Sequence, residues 1–422
     1  MTNKLLSGNH ALPLLSLCGC LLPVAAQAAF VEDSQLSLSA RNFYMNRDFR
    51  EDDKGVTQSK AEEWGQGFML RYNSGFTEGP VGVGVDGLGL LGIKLDSGGG
   101  TSRTGALLVQ RDGEVADEFS FLGLTAKARL AQSLLTVGTH EPLLPVAYRN
   151  DTRLLPQTFE GAQLVSKDID KLTLTAGQFR STRLRDSTDY EDMTMVAFAE
   201  GGALVGGRKP SDRFDYAGVS FGPVSNLTAT YFYAELEDNY HQHYGNLLYS
   251  QPLAEGLTFK SDIRYFDSSE EGNTTVDNRN LGAMFTLAWK AHALGLAYQD
   301  QSGDTGMPFI GGGTDPWALN TVTYHHFLRA REDSWQVRYN YDFAAMGVPG
   351  LNLMARYVRG DNFKIGQADA KEWERDIDLG YVIQSGPLKN VGLRLRNVAY
   401  RGSHTTDVDE NRVIVNYILK IW

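Results

Sequence analysis

The amino-acid sequence predicts an all-β fold, a transmembrane antiparallel β-barrel, on three observations. The chain opens with an export segment, and no later run of about 18 apolar residues could cross a membrane as a helix. Apolar and polar residues alternate with period two from end to end. Compact turns then alternate with longer polar segments, the asymmetry of an outer-membrane barrel.

The export segment comes first. Lys4 supplies a positive start, Ala11 to Ala25 an apolar stretch, and Ala26-Gln27-Ala28 a small-x-small cleavage site. A signal peptide over 1–28 and one mature barrel domain over 29–422 follow from this. Leu17-Cys18-Gly19-Cys20 loosely resembles a lipoprotein signal, but the apolar run continues well past Cys20. Both cysteines of the chain lie in this segment, so a mature protein starting at Ala29 has neither disulfides nor thiolate metal ligands.

The strands are read from alternation. In Trp335-Gln336-Val337-Arg338-Tyr339-Asn340-Tyr341-Asp342-Phe343 the aromatic and aliphatic residues share one face, and Gln, Arg, Asn and Asp the other. A soluble sandwich buries such a face with shorter strands, whereas about 9–11 residues is a membrane-crossing length. Leu36-Ser37-Leu38-Ser39-Ala40-Arg41, Leu172-Leu174-Ala176 and Val391-Leu393-Leu395 obey the same rule.

The turns supply the strand count. Compact candidates stand at Phe76–Pro80, Ala131–Ser133, Lys167–Lys171, Gly222–Asn226, Pro252–Gly256, Lys290–Ala293, Ala344–Gly350 and Gly386–Asn390. Longer polar segments such as Asp186–Asp192, Asp267–Asp277 and Thr405–Asn411 are expected on the opposite side. With both termini on the short-turn side, eight turns imply nine outward hairpins and hence 18 strands. The last strand presents Val413, Val415, Tyr417, Leu419 and Ile421 as a lipid-facing row and ends in Trp422, which falls off that register. A terminal aromatic strand is the type of signal that barrel-assembly machinery reads.

Composition narrows the function. With 40 Lys+Arg against 51 Asp+Glu, the net charge of −11 argues against nucleic acid as the main partner. The 19 Tyr, 20 Phe and 45 Gly suit a β-protein with wet surfaces. The alternation nevertheless turns many cations inward: Arg41, Arg71, Lys127, Arg129, Arg338, Arg356, Arg394, Arg396 and Arg412. In a closed barrel the first and last strands are neighbours, so basic residues from both chain ends gather on one wall. A guanidinium grips a carboxylate with two parallel bonds, and a row of them can pass an anion along. The alternative is structural: Asp342, Asp376 and Asp378 also face inward and could pair with these cations.

Pro142-Leu143-Leu144-Pro145 with Asn150-Asp151-Thr152-Arg153-Leu154-Leu155-Pro156, Ser334-Trp335-Gln336 through Tyr341-Asp342-Phe343, Gly347-Val348-Pro349-Gly350-Leu351, Ala355-Arg356-Tyr357, Arg41-Asn42 near Arg47-Asp48, and Leu393-Arg394-Leu395-Arg396-Asn397 form a set. Together these stretches resemble the OprD-type porins, the outer-membrane carboxylate channels. The resemblance covers the whole mature chain. It implies an outer-membrane location in a Gram-negative bacterium, a barrel built from one chain (alone or packed in homotrimers), a narrow pore and a ladder of basic residues. The expected surroundings are outer-membrane lipids and lipopolysaccharide. The expected solutes are small carboxylates, amino acids or organic and aromatic acids, and no cofactor is expected.

Leu143–Pro156 then reads as an inward-folded constriction loop, its Pro-flanked ends and leucines suited to docking on the wall. Arg149, Asp151 and Arg153 would line the eyelet, or Asp151 and Arg153 would only anchor the loop. Other signals are weak. Gly98-Gly99-Gly100 and Gly311-Gly312-Gly313 lack the helix and Lys of a phosphate cradle. His241 and His243 read as a solvated loop rather than a metal site, and His325 and His326 would face opposite ways on a strand.

Among competing functions, a non-selective diffusion porin stands nearest, and the spread of inward cations argues against it. An outer-membrane barrel enzyme needs a clustered catalytic group that the sequence does not display. A plugged receptor needs an N-terminal domain, yet alternation begins at Gln35.

Overall fold

In the computed structural model, which describes residues 30–50 and 58–422, the chain is a closed antiparallel barrel of 18 strands. The expected signal peptide, 1–28, lies outside the described residues. The first nine strands are β1 Gln35–Phe49, β2 Lys60–Asn73, β3 Val81–Asp96, β4 Glu118–Leu130, β5 Ser133–His140, β6 Thr158–Ser166, β7 Leu172–Arg183, β8 Phe214–Val224 and β9 Leu227–Leu236. The others are β10 Tyr240–Ala254, β11 Leu257–Glu270, β12 Asp277–Trp289, β13 His292–Ser302, β14 Asp333–Asp342, β15 Leu351–Ile365, β16 Ala368–Val382, β17 Gly392–Gly402 and β18 Thr405–Lys420. Each strand pairs with its sequence neighbours, and β1 closes the ring on β18 from Ser37↔Lys420 to Phe49↔Val408. Closure leaves no sheet edge, the condition for a strand structure to survive in hydrocarbon, where an unpaired peptide group finds no water.

All eight compact turns mark junctions between consecutive strands, but part of four of them is strand: Ser133 opens β5, Gly222–Val224 ends β8, Pro252–Ala254 ends β10 and His292–Ala293 opens β13. The acidic segments divide. Asp186–Asp192 lies in the long connection between β7 and β8, but Thr405–Asn411 is strand, part of β18, and the turn before it is 403–404. Likewise Asp267–Glu270 belongs to β11 and Asp277 to β12. The reason is that the hydrogen-bonded ladder runs on above the apolar band. There water wets both faces, and polarity ceases to distinguish strand from loop. His241 and His243, expected in a loop, sit on β10 for the same reason.

Outward side chains form the apolar band: Leu122 and Leu124 on β4, and Leu281, Phe285 and Leu287 on β12, are exposed. The inward faces are not uniformly polar. Phe43, Met45, Met69, Leu88, Leu90 and Phe119 point into the barrel and are buried there with Leu107, Leu154 and Leu155 from two connections. A second inner cluster joins Phe159, Phe179, Phe214, Tyr240 and Phe266 to Met193, Met195 and Ile310. The hydrophobic core therefore sits inside the barrel, between wall and infolded loops.

Candidate functional site: an arginine-lined lumen

Four connections shape the lumen: 97–117, 141–157, 184–213 and 303–332, all at the end of the barrel away from the chain termini. Each is tied to the wall or to its neighbour by buried polar groups. Fully buried Glu63 on β2 accepts hydrogen bonds from the amides of Arg103 (3.0 Å) and Ala106 (3.3 Å) and from the Thr104 hydroxyl. Fully buried Glu374 on β16 does the same for the amides of Tyr324 and His325, each at 2.8 Å. Charge-assisted bonds of this kind are about twice as strong as neutral ones. Gln157 bridges connections by donating to Thr182 Oγ1 and Thr314 Oγ1, both 3.0 Å away. Tyr148 and Trp317 stack across the lumen at 4.5 Å, joining 141–157 to 303–332.

The loop 141–157 takes the inward position expected of Leu143–Pro156. Leu154 and Leu155 are fully buried, and two glycines of β2 make room for them. A Cβ at Gly65 would stand 2.8 Å from Leu154 Cδ2, and one at Gly67 3.0 Å from the Leu154 carbonyl oxygen.

A cavity of about 990 Å³ remains, lined by Arg47, Arg103, Arg153, Arg185, Arg264, Arg329, Arg338, Arg356, Arg396 and Arg412. Its acidic lining residues are Asp262 and Asp315. Of the residues expected from sequence, Arg153, Arg338, Arg356, Arg396 and Arg412 are here. The rest face inward elsewhere. Arg71, Glu141, Arg149, Asp151 and Arg41 form one chain of alternating charge, with contacts of 3.0, 3.2, 3.6 and 2.7 Å in that order. Lys127 pairs with Asp86 at 2.6 Å, and Arg129 lies 4.3 Å from the Phe76 ring.

The wall arginines have counter-charges. On β16 the inward face is an unbroken acidic row, Glu372, Glu374, Asp376 and Asp378. Asp376 takes Arg356 at 2.5 Å, and Asp378 takes Arg396 at 2.6 Å and Arg394 at 3.4 Å. Across the seam, buried Glu410 holds Arg412 at 2.5 Å and Arg47 at 2.7 Å. Arg412 is itself fully buried and donates to the carbonyls of Thr152 (3.4 Å) and Thr323 (3.2 Å), so it fastens two lumen loops to the wall.

Arg103, Arg153, Arg185 and Arg338 differ. Among the described residues none of the four is in an ion pair. Arg153 donates to the carbonyl oxygens of Thr104 and Thr152, Arg185 to that of Gly105, and Arg338 to Asn340 Oδ1. Burial lowers the pKa of Arg153 and Arg185, and the nearby Arg412 lowers both further. Burial raises the carboxyl pKa of Asp315, and the arginines Arg185, Arg153, Arg412 and Arg356 partly oppose the shift. The cavity lining thus holds ten arginines and two aspartates, a locally positive surface inside the barrel.

Sequence reasoning missed half of these lining arginines. Arg47 shares the parity of Arg41 on β1, and Arg264 lies between outward Ile263 and Tyr265 on β11, so alternation carried both signals. Arg103, Arg185 and Arg329 lie in loops without period. The same holds for His325 and His326, which stand in the connection 303–332 rather than on a strand, both against the cavity. Gly313 seats Arg185, since a Cβ there would approach Arg185 Nη1 at 3.2 Å.

A closed 18-stranded barrel with an apolar outer band, infolded loops and a charged passage defines a porin of the bacterial outer membrane. The chain belongs to the OprD family of outer membrane porins, whose family model matches residues 28–421. The porin-like protein GalP of Pseudomonas putida is 38% identical over 412 residues, covering 95% of each chain. The crystal structure of Pseudomonas aeruginosa OpdQ superposes with a TM-score of 0.84 at 46% identity, covering 94% of this chain and all of that one. Pseudomonas aeruginosa OpdK, solved with vanillate, superposes with a TM-score of 0.85 at 37% identity, covering 93% of this chain and 100% of its own.

Proposed function

We propose that this porin passes small carboxylate-bearing solutes, and that the arginine-lined cavity is the selective part of the path. The observation that carries this reading is the set of cavity arginines without a carboxylate partner among the described residues, Arg103, Arg153, Arg185 and Arg338. The wall arginines Arg356, Arg396 and Arg412, like Arg41, Arg71, Lys127 and Arg394 elsewhere on the inner face, have their charge taken up by carboxylates, and Arg129 lies against the Phe76 ring. The unpaired ones have valence left for a passing anion. Vanillate, bound by the relative OpdK, is itself a carboxylate, which agrees with this reading. Arg149 and Asp151 serve as anchors of the constriction loop, because their charges are taken up by Glu141 and Arg41.

Planar-bilayer recordings and liposome uptake with benzoate and an uncharged ring of equal size test the proposal. Arg153→Ala with Arg185→Ala is expected to reduce benzoate flux about tenfold or more, as each lost charge-assisted contact is worth roughly 1–2 kcal/mol. Flux of the neutral solute is expected to change little. The pair Arg394→Ala with Arg396→Ala should act in the same direction, since it removes two cations and leaves the Asp378 carboxylate to repel the anion. Equal loss for both solutes would mean that the substitutions collapse the wall and that selectivity lies elsewhere.

A further inference from the structure

The outer flank of the barrel carries a second set of cations that the passage does not use. On β16 the outward residues are Lys371, Trp373, Arg375, Ile377 and Leu379, in order from the outer end toward the middle of the membrane. Trp373 stands opposite Arg359 on β15 and Arg401 on β17. Trp335, Tyr357 and Trp373 pack in series with ring centres 5.4 and 5.7 Å apart, marking the aromatic belt where such barrels meet the headgroup layer. Arg359 and Arg401 thus flank the belt, and the Arg401 guanidinium lies 5.8 Å from the Trp373 ring centre. Arg375 lies one repeat deeper, about 6.8 Å along the strand at roughly 3.4 Å per residue.

The counter-charges are uneven. Arg359 has Asp361 at 3.6 Å, and Arg401 has Asp407 at 3.5 Å and Asp409 at 2.8 Å, the last also shared with Arg50. Arg375 donates to Asn397 Oδ1 at 2.7 Å, and neither it nor Lys371 is in an ion pair among the described residues. A guanidinium on the lipid face below the aromatic belt, without a carboxylate, is unfavourable unless it reaches an anion at the interface. Water-borne anions do not enter that depth. Headgroup phosphates of membrane lipids lie at the belt just above, within reach of a long side chain that extends toward the interface, and guanidinium binds phosphate with two parallel bonds.

We propose that the outward face of β15, β16 and β17 is a docking surface for a phosphorylated lipid of the outer leaflet, held by Lys371 and Arg375 and flanked by Arg359 and Arg401. Aromatic Trp373 lies among these four cations, positioned against the sugar or glycerol next to the phosphate.

The test uses the mature full-length porin in detergent micelles, with added diphosphorylated lipid A, its dephosphorylated form, or phosphatidylethanolamine, read by native mass spectrometry. The wild type is expected to retain the diphosphorylated lipid preferentially. Lys371→Gln with Arg375→Gln should lower that retention about tenfold or more. Single-channel conductance should stay at the wild-type value, since both side chains face away from the lumen. Should the double variant not give the heat-modifiable folded band, Lys371→Gln alone, at an exposed position, is expected to show part of the loss. Retention unchanged by the substitutions, or equal retention of the dephosphorylated lipid, would overturn the proposal. Loss caused by EDTA in wild type and variant alike would also overturn it, by placing the lipid on Asp407 and Asp409 through a divalent cation.

Discussion

At the scale of single residues, charge in the lumen is arranged by contrast between paired and unpaired groups. Arg356 and Arg396 are neutralised by the acidic row of β16, and the loop arginines Arg153 and Arg185 are not. Asp315 is the exception in sign, a carboxylate in the cavity that faces four arginines without an ion pair among the described residues. Because burial raises its pKa, Asp315 takes up a proton at higher pH than an ordinary carboxyl group. Lowering the pH through that range removes a negative charge from the passage, so the preference for anions should rise as pH falls. Reversal potentials in a salt gradient, measured across the acid range, read this directly. Asp315→Asn is expected to show the higher anion preference already at neutral pH, with a flatter pH dependence. A pH response as steep in Asp315→Asn as in the wild type would assign it to other carboxylates.

At the scale of elements, strands and turns were legible in the sequence and infolded loops were not. A strand between lipid and water writes its two environments alternately into the chain, which is why Trp335 to Phe343 is transparent and the eight turns fall in place. Where strands rise above the apolar band the contrast vanishes, and Thr405–Asn411 reads as loop although it is β18. Inside, the loops pack by shape. Leu107 and Leu154 meet Phe43 and Met69 with no period to announce it, so the inward apolar residues contradict a simple polar-inside rule. The constriction loop was recognisable only through its Pro-bounded sequence and family likeness. Deleting Leu143–Pro156 is expected to raise single-channel conductance several-fold and to expose part of the inner cluster. A milder version is Gly67→Val, whose added atoms collide with Leu154 and Leu155 and should lift the loop from β2. Unchanged conductance in both variants, with the barrel intact, would locate the narrowest point in the connection 303–332.

At the scale of the whole molecule, the closing seam between β1 and β18 is tied by buried charge. Glu410 is fully buried and serves Arg47 and Arg412 together, while Arg41 reaches Asn416 at 3.1 Å. Removing one member of such a set leaves uncompensated charge in the interior, with a penalty of about 3–5 kcal/mol. Glu410→Gln should therefore lower the temperature at which the folded band is lost on gels, and lower it more than Glu160→Gln at an exposed position of β6. Equal shifts would mean that lumen water already screens the pair.

The seam also bears on how the molecule comes into being. Arg41 and Asn416 lie at opposite ends of the chain, 375 residues apart, and the ring is incomplete until they meet. Contacts this remote in sequence are the slowest for a chain to find. Before they form, Arg47 lacks Glu410 and Arg412 cannot fasten the two loops it holds. Closing the seam thus completes both the pairing of first with last strand and the fastening of the two loops that Arg412 holds. An unfinished barrel would be a sheet with two open edges, its loops unfastened, able neither to select a solute nor to resist a protease.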